Sequence, residues 1–370
     1  MGTLPPVDSR AIVLTEIEAM GGAERSVLAL SRWLQERGLA HHFVTYVDHV
    51  GMGAGTGYPV EIVQLRPEMR AGKKVAALRR YFAGRRGGPK PLMSGFQPVL
   101  HATLAGMRGF HTLMHDTPSL FQDLDAMTAK QRVGRWVSDK IATRGLRSGG
   151  RTIVTSEYLR AETLRVYGVV ADIARMGGLY AEGAFRLRPV GGELRMLSVS
   201  RVEANKRIDW VLRALAAMED SSLPLSSRVD WTLDITGRGS QLGALQELAE
   251  TLGIAPRVKF LGYVKDEELQ QIYSEAHLFL MPAVQGYGIP AIEALARGLP
   301  VLLHRESGVS DILRNTPWAT VIEGGEEGML PGLHKAIDAV IKGAQLEAPL
   351  PVLPTEDEWA ERVATLCGWV

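Results

Sequence analysis

Leu278-Phe279-Leu280-Met281-Pro282-Ala283-Val284-Gln285-Gly286-Tyr287-Gly288-Ile289-Pro290-Ala291-Ile292-Glu293-Ala294-Leu295-Ala296-Arg297-Gly298-Leu299-Pro300-Val301-Leu302-Leu303 carries a whole strand–loop–helix–strand unit. The uninterrupted apolar run Leu278 to Met281 predicts a strand buried on both faces. Pro282 ends it. Gly286 and Gly288 let the backbone of a tight loop approach a ligand closely. Pro290 falls where a first helical turn tolerates proline. Ile292 and Leu295 are core candidates of the helix, Gly298 and Pro300 stop it, and Val301 to Leu303 begin the next strand. Free backbone N–H groups at such a helix N-terminus favour anionic oxygens.

The flanks repeat the alternation. Arg195 to Ser200 predicts a strand that runs into Ser200-Arg201-Val202-Glu203-Ala204-Asn205-Lys206-Arg207-Ile208-Asp209. Trp231 to Thr236 predicts a strand closing in Gly237-Arg238-Gly239. Leu242 to Leu252 predicts a helix, Val258 to Val264 a strand and turn, and Glu267 to Ser274 a helix. Downstream, Ser307 to Asp311 is a turn and Gly332 to Lys342 a helix. Pro349, Pro351 and Pro354 make an extended connector, and Glu356 to Leu366 a final helix.

The first half is less regular. Ala11 to Thr15 reads as a short buried strand, then a loop ends in Gly21-Gly22. Ala23 to Arg37 is an amphipathic helix, with Val27, Leu28, Leu30 and Leu34 apolar. This is a second anion-friendly helix start, although a close-packed turn needs the same glycines. His42 to Val47, Val60 to Leu65, Val99 to Thr103, Phe110 to His115 and Thr152 to Thr155 predict strands. Gly87 to Pro98 predicts a loop, and Ser156 a helix cap. His115-Asp116 ends its strand at the carboxyl end, where ligand sites of parallel sheets open; an isolated histidine is also commonly a satisfied structural residue. Arg70 to Arg86 is basic, with Val75, Leu78 and Phe82 as an apolar stripe. It fits a helix lying on an anionic membrane or, more plainly, an ordinary surface helix. Ala129 to Arg147 is a long basic helix. Asp123-Leu124-Asp125 matches a metal-binding Asp-x-Asp only as a pattern and reads as a solvated loop.

At 370 residues the chain exceeds one ordinary core, and two domains are expected. A hydrophobic share of 46% with 22% charged residues is that of a soluble globular protein. The lone cysteine, Cys367, excludes an internal disulfide and a cysteine-based zinc site. No early apolar run is flanked like a signal peptide and no window approaches about 20 apolar residues, so a cytoplasmic location is expected. Net charge is +1, unevenly spread. Residues 1–188 hold 26 Lys and Arg against 16 Asp and Glu, whereas the rest holds 16 against 25. A basic first half suggests an anionic partner such as a lipid headgroup, a membrane surface or a phosphate-bearing acceptor. Solvated helix faces with attraction between the halves are the alternative. Nothing points to nucleic acid.

The central stretch resembles the signature Glu-Gly-Phe-Gly-Leu/Ile-Pro-x-x-Glu-Ala of family 4 of the retaining, nucleotide-sugar-dependent glycosyltransferases. Gln285 stands at the first glutamate, Tyr287 at the phenylalanine and Glu293 at the second glutamate. Arg201 and Lys206 match the two cations of that family's Gly-Arg-x-x-x-x-Lys segment. Gly237 matches its glycine turn beneath the nucleotide, and Val264 its base-contacting turn. In the first half Gly22 lies in the matching first loop and His115 at the strand end near the donor sugar.

The resemblance implies an α/β protein of the GT-B fold, two Rossmann-like doubly wound domains facing across a cleft. Residues 1–188 would take the acceptor and 189–352 the nucleotide sugar, with 353–370 returning to the first domain. It implies a metal-independent retaining transfer to a saccharide or lipid-linked acceptor in cell-surface glycan or glycolipid synthesis, at the inner face of the membrane. The donor is a co-substrate, UDP- or GDP-linked, and no further cofactor or metal is expected. His115, Gln285 and Glu293 would be catalytic. Gly22, Arg201, Lys206, Gly237, Val264, Gly286, Tyr287, Gly288 and Ile289 would bind substrate. Gln285 offers no negative charge near an oxocarbenium-like centre, a loss worth about 10²-fold or more in rate. A catalytically weak module that binds a nucleotide sugar or a partner enzyme is therefore the alternative. A sugar-nucleotide epimerase would need acid and base residues that the sequence does not offer.

Overall fold

Short strands that are apolar on both faces need helices above and below them, and that is how both parts of this chain are built. The computed structural model describes residues 4–18, 20–54, 56–66, 70–85, 87–120, 127–177, 189–220 and 229–370. The Asp123-Leu124-Asp125 pattern and most of the segment preceding the second half lie outside them. The chain forms two compact units: Met1–Gly177 with Pro354–Val370, and Gly178–Leu353.

The first unit runs β1 (Arg10–Val13), α1 (Gly22–Glu36), β2 (His41–Thr45), β3 (Ile62–Gln64), α2 (Ala71–Ala83), β4 (Leu92–Ser94), α3 (Phe96–Leu104), β5 (His111–Met114), α4 (Ala129–Leu146), β6 (Thr152–Val154), α5 (Glu157–Tyr167) and β7 (Asp172–Ile173). Its strands are parallel, in the order β3-β2-β1-β4-β5-β6-β7. Val13, Val44, Met93, Met114 and Val154 from the sheet meet Leu78, Val99, Ala142 and Leu159 from the helices in one core. Ser156 caps α5, its side chain accepting from the Leu159 N–H at 3.1 Å.

One sequence expectation changes here, and another is decided between its two readings. Val99 to Thr103 is helix α3, not a strand. Val99 and Ala102, three residues apart, point into the core, and Pro98 sits in the first turn. The strand is Leu92–Ser94, only three residues long, between Pro91 and Gly95 in what reads as a loop. Secondly, the stripe of α2 faces inward: Leu78 is fully buried and Phe82 packs on the core. Ala71–Ala83 is therefore an ordinary surface helix, the plainer of the two readings of this basic stretch.

The second unit runs β8 (Glu193–Val199), α6 (Ile208–Asp220), β9 (Asp230–Thr236), α7 (Leu242–Thr251), β10 (Val258–Gly262), α8 (Asp266–Glu275), β11 (Leu278–Met281), α9 (Ile289–Ala296), β12 (Val301–His304), α10 (Ser310–Leu313), β13 (Ala319–Ile322) and α11 (Met329–Lys342). The parallel order is β10-β9-β8-β11-β12-β13. Leu194, Met196, Leu233, Ile235, Leu278 and Leu280 pack under Leu212, Leu215, Leu333 and Ile337. Both sheets reverse strand order beside their first strand, which opens a crevice at the carboxyl edge in doubly wound folds.

The chain ends in α12 (Glu356–Leu366), which belongs to the first unit and packs on α1. Thr355 and Glu358 form a capping box at its start. Arg32 of α1 reaches Asp357 at 2.9 Å and Glu356 at 3.3 Å. Gly177 is pressed against the backbone of Thr355 and Glu356, closer than any side chain would allow.

Candidate functional site

In the second unit the reversal falls between β8 and β11, and the loops leaving these strands are joined side by side. Asn205 and Val284 exchange bonds: the Asn205 side-chain amide donates to the Val284 carbonyl at 3.0 Å, and the Val284 N–H to the Asn205 carbonyl at 2.9 Å. One residue further on each loop, the Lys206 ammonium donates to Gln285 Oε1 at 2.6 Å. Gln285 is 8% exposed. Its amide NH₂ contacts Met281 Sδ at 3.0 Å and Ser307 Oγ at 3.1 Å, while Ser307 Oγ donates to the Tyr287 carbonyl at 3.1 Å. The glutamine is thus fixed end for end, oxygen toward the cation and nitrogen toward the loop after β12. Sequence reasoning placed Lys206 and Gln285 but missed Asn205, Met281 and Ser307. All three fell in stretches that had drawn notice, but none was singled out, because each acts through a bond to another loop.

Gly288 caps α9 with φ +125°, a backbone shape that favours glycine. A Cβ there would meet the Gln285 amide nitrogen and the Met281 methyl at 2.7 Å each. Gly286 and Tyr287 are buried; Gly288 and Ile289 are partly exposed. Arg207 takes φ +53°, unusual for a side-chain-bearing residue. It is held there by Glu306 at 2.6 Å and by Trp210, whose ring lies 4.2 Å beneath the guanidinium. This braces the turn that carries Lys206.

Arg201 is exposed at the end of β8. Gly237 packs directly on the Ser200 carbonyl, leaving no room for a Cβ, and its N–H donates to the Gly262 carbonyl at 2.7 Å. The turn after β10, with half-buried Val264, is thereby tied to the loop bearing Arg201. Glu293 stands in the second turn of α9, half-buried, beside α8. Burial and then the Glu293 charge push the Tyr273 hydroxyl well above its ordinary range. The Arg297 guanidinium donates to the Glu293 carbonyl at 2.6 Å and lies over the Tyr273 ring.

In the first unit the corresponding reversal, between β1 and β4, holds a cavity of about 410 Å³ lined by Thr15, Glu16, Glu24, Ser94, His115 and Asp116 among others. Ser94 Oγ lies 3.0 Å from His115 Nε2, and His115 Nδ1 is buried without a hydrogen-bond partner among the described residues. Burial lowers the His115 pKa to about 4, so the ring is neutral near pH 7. Glu16 is paired with Lys74. Gly22 begins α1 and is exposed, beside this cavity in sequence. The Glu24 carboxylate accepts from the Gly21 N–H at 3.1 Å and so already covers that helix start. Among the described residues no group of His, Cys, Asp or Glu is arranged to hold a metal ion.

Residues 183–347 match the family model for glycosyl transferases group 1. A GDP-mannose-dependent alpha-(1-6)-phosphatidylinositol monomannoside mannosyltransferase of Mycolicibacterium smegmatis is 34% identical over 160 residues, 41% of this chain and 38% of that one. The chain spans between about a third and a half of the length of the curated relatives it matches. The fold matches WaaG, a glycosyltransferase of lipopolysaccharide biosynthesis, with TM-score 0.70 at 19% identity over 96% of this chain and 99% of that one. Anabaena HepE with UDP-glucose gives TM-score 0.70 at 16% identity, over 97% and 100%. The signature stretch lies inside the segment that matches the glycosyl transferases group 1 model, and the two doubly wound units share the GT-B fold of these solved glycosyltransferases.

Proposed function

We propose that the protein is a retaining, metal-independent glycosyltransferase that moves a sugar from a nucleotide-linked donor to an anionic saccharide or lipid-linked acceptor. One observation supports this above others: Lys206 and Gln285 meet at 2.6 Å where the second sheet reverses order. A cation fixed there can neutralise a departing diphosphate without rearranging. Arg201 supplies the second positive charge. The backbone from Gly286 to Ile289, at the start of α9, takes phosphate or sugar oxygens. Glu293 accepts from ribose hydroxyls, and Gly237 and Val264 flank the nucleoside. Gln285 hydrogen-bonds a sugar hydroxyl. His115, neutral, acts as a hydrogen-bond donor and not as a proton source. The bond from the anomeric carbon to phosphate breaks, the acceptor oxygen adds on the same face, and its proton passes to the leaving phosphate.

The acceptor reading draws on the basic first unit. On α4, Val133 and Trp136 are each 61% exposed and Val137 is 41% exposed. Exposed Lys130, Lys140 and Arg144 share this face. An apolar strip among cations suits an anionic membrane surface, where the lipid-linked acceptor would be met. No helix among the described residues is long and apolar enough to cross a membrane.

The second reading, a donor-binding module with little turnover, is favoured by Gln285 itself. Incubation with UDP- and GDP-sugars, with and without acceptor and with EDTA, decides between them through nucleoside diphosphate release. Product NMR gives the anomeric configuration. Acceptor-dependent release that survives EDTA, with retained configuration, is expected. Silence in the native chain with release after Gln285→Glu would overturn the enzyme reading.

A further inference from the structure

At the amino edge of the first sheet, opposite the edge that carries His115, lies a cavity of about 570 Å³. It opens where β5 and β6 begin, and the residues after α12 close one side. His111, Arg151, Lys90 and Trp369 are among its lining residues. None of them has a part in the proposed transfer.

The Lys90, His111, Arg151 and Trp369 side chains of the lining offer N–H donors. His111 is 5% exposed. Its Nδ1 accepts from the Arg151 backbone N–H at 3.1 Å, so the ring proton sits on Nε2. That Nε2–H is buried without a hydrogen-bond partner among the described residues. The Cys367 backbone is its hydrogen-bonding neighbour, at poor geometry, and works against the lowering of the ring's pKa. The indole N–H of Trp369, 4% exposed, is likewise buried and unpartnered. Lys90 donates to the Gly149 carbonyl at 3.1 Å, and Arg151 makes a long pair with Asp172 at 3.5 Å. Burial, with Lys90 and Arg151 adding to it, lowers the His111 pKa to about 4. The ring therefore stays a neutral donor at ordinary pH. A buried indole N–H without a partner, beside a poorly bonded imidazole N–H, costs free energy unless an acceptor joins them. Two cations beside them select that acceptor as an anion.

We propose that this cavity binds a small oxyanion, a phosphate or a carboxylate, through His111 Nε2–H, Trp369 Nε1–H, Lys90 and Arg151. Because Cys367, Gly368 and Trp369 form one wall, an occupied site fastens the end of α12 to the sheet.

The test uses the full chain labelled with ¹⁵N-histidine, titrated at constant ionic strength with inorganic phosphate, glycerol 3-phosphate, acetate or chloride. The expected result is a saturable shift of the His111 Nε2 signal by phosphate or acetate but not chloride. Response to glycerol 3-phosphate as well assigns the site to esterified phosphates; response to the free anion alone assigns it to free oxyanions. Trp369→Phe keeps the ring and removes one donor, and should weaken binding about tenfold. Lys90→Ala with Arg151→Ala, both at exposed positions, should abolish saturation while circular dichroism is unchanged. No saturable shift, an equal response to chloride, or unchanged titration in the double variant would overturn the proposal.

Discussion

At residue 288 a single hydrogen atom decides the shape of the loop. Gly288→Ala forces a Cβ into φ +125° and against the Gln285 amide. A loss of about 1–3 kcal/mol in stability is expected, from the scale of strained backbone positions. Turnover should fall further than stability, since Gln285 must move off Lys206; urea unfolding and donor turnover measured together test this. Lys206→Met removes the cation that faces the leaving group and keeps the stem. Loss of one preorganised charge should lower kcat by about 10²–10³-fold. A KM-only effect would show that Lys206 binds donor and transition state alike. Gln285 was legible because its spacing to the glycine loop is local in sequence, and Lys206 because its spacing to Arg201 is. Ser307 and Asn205 were not: both act through bonds to other loops, and only the folded sheet brings those loops together.

Elements were legible where their pattern was long. The strand Leu278–Met281 stands where its uninterrupted apolar run put it, and the helix Glu356–Leu366 follows the proline connector as expected. The strand Leu92–Ser94 was hidden because three residues cannot show a period, and Val99-Leu100 looked more strand-like than the helix it lies in. Sequence also could not say which basic helix keeps its apolar side outward. Leu78 and Phe82 of α2 turn to the core, whereas Val133, Trp136 and Val137 of α4 face solvent. Burial is a tertiary fact that a helical wheel does not contain. Trp136→Ala with Val133→Ser should therefore weaken binding to anionic vesicles by about tenfold or more, at roughly 25 cal/mol per Å² of apolar surface withdrawn from lipid. Vesicle co-sedimentation at two salt concentrations checks it. Equal binding of native and variant chains would remove α4 from the membrane reading.

At the scale of the molecule, histidines distinguish the two units. Buried His42 titrates at about 3, and His111 and His115 at about 4. His41 and His101 are also lowered by burial, all of them in the first unit; in the second, His304 is lowered by burial. The unfolded chain takes up these protons near the ordinary value of about 6.5. Stability is thus fully present above that pH and falls as pH drops toward 4, by up to about 1.4 kcal/mol per pH unit for each such group. Scanning calorimetry between neutral pH and mild acid should show the first unit melting earlier as acid is added, with the second following later. A shared shift of both transitions would contradict this.

The contact of Gly177 with Thr355 and Glu356 has one more consequence. The first unit leaves the sheet and comes back to it at a single spot, so residues 178–353 are spliced into it as a guest between two touching ends. Excising the guest and bridging the gap with a few flexible residues should yield a free-standing host that still folds around α1 and α12.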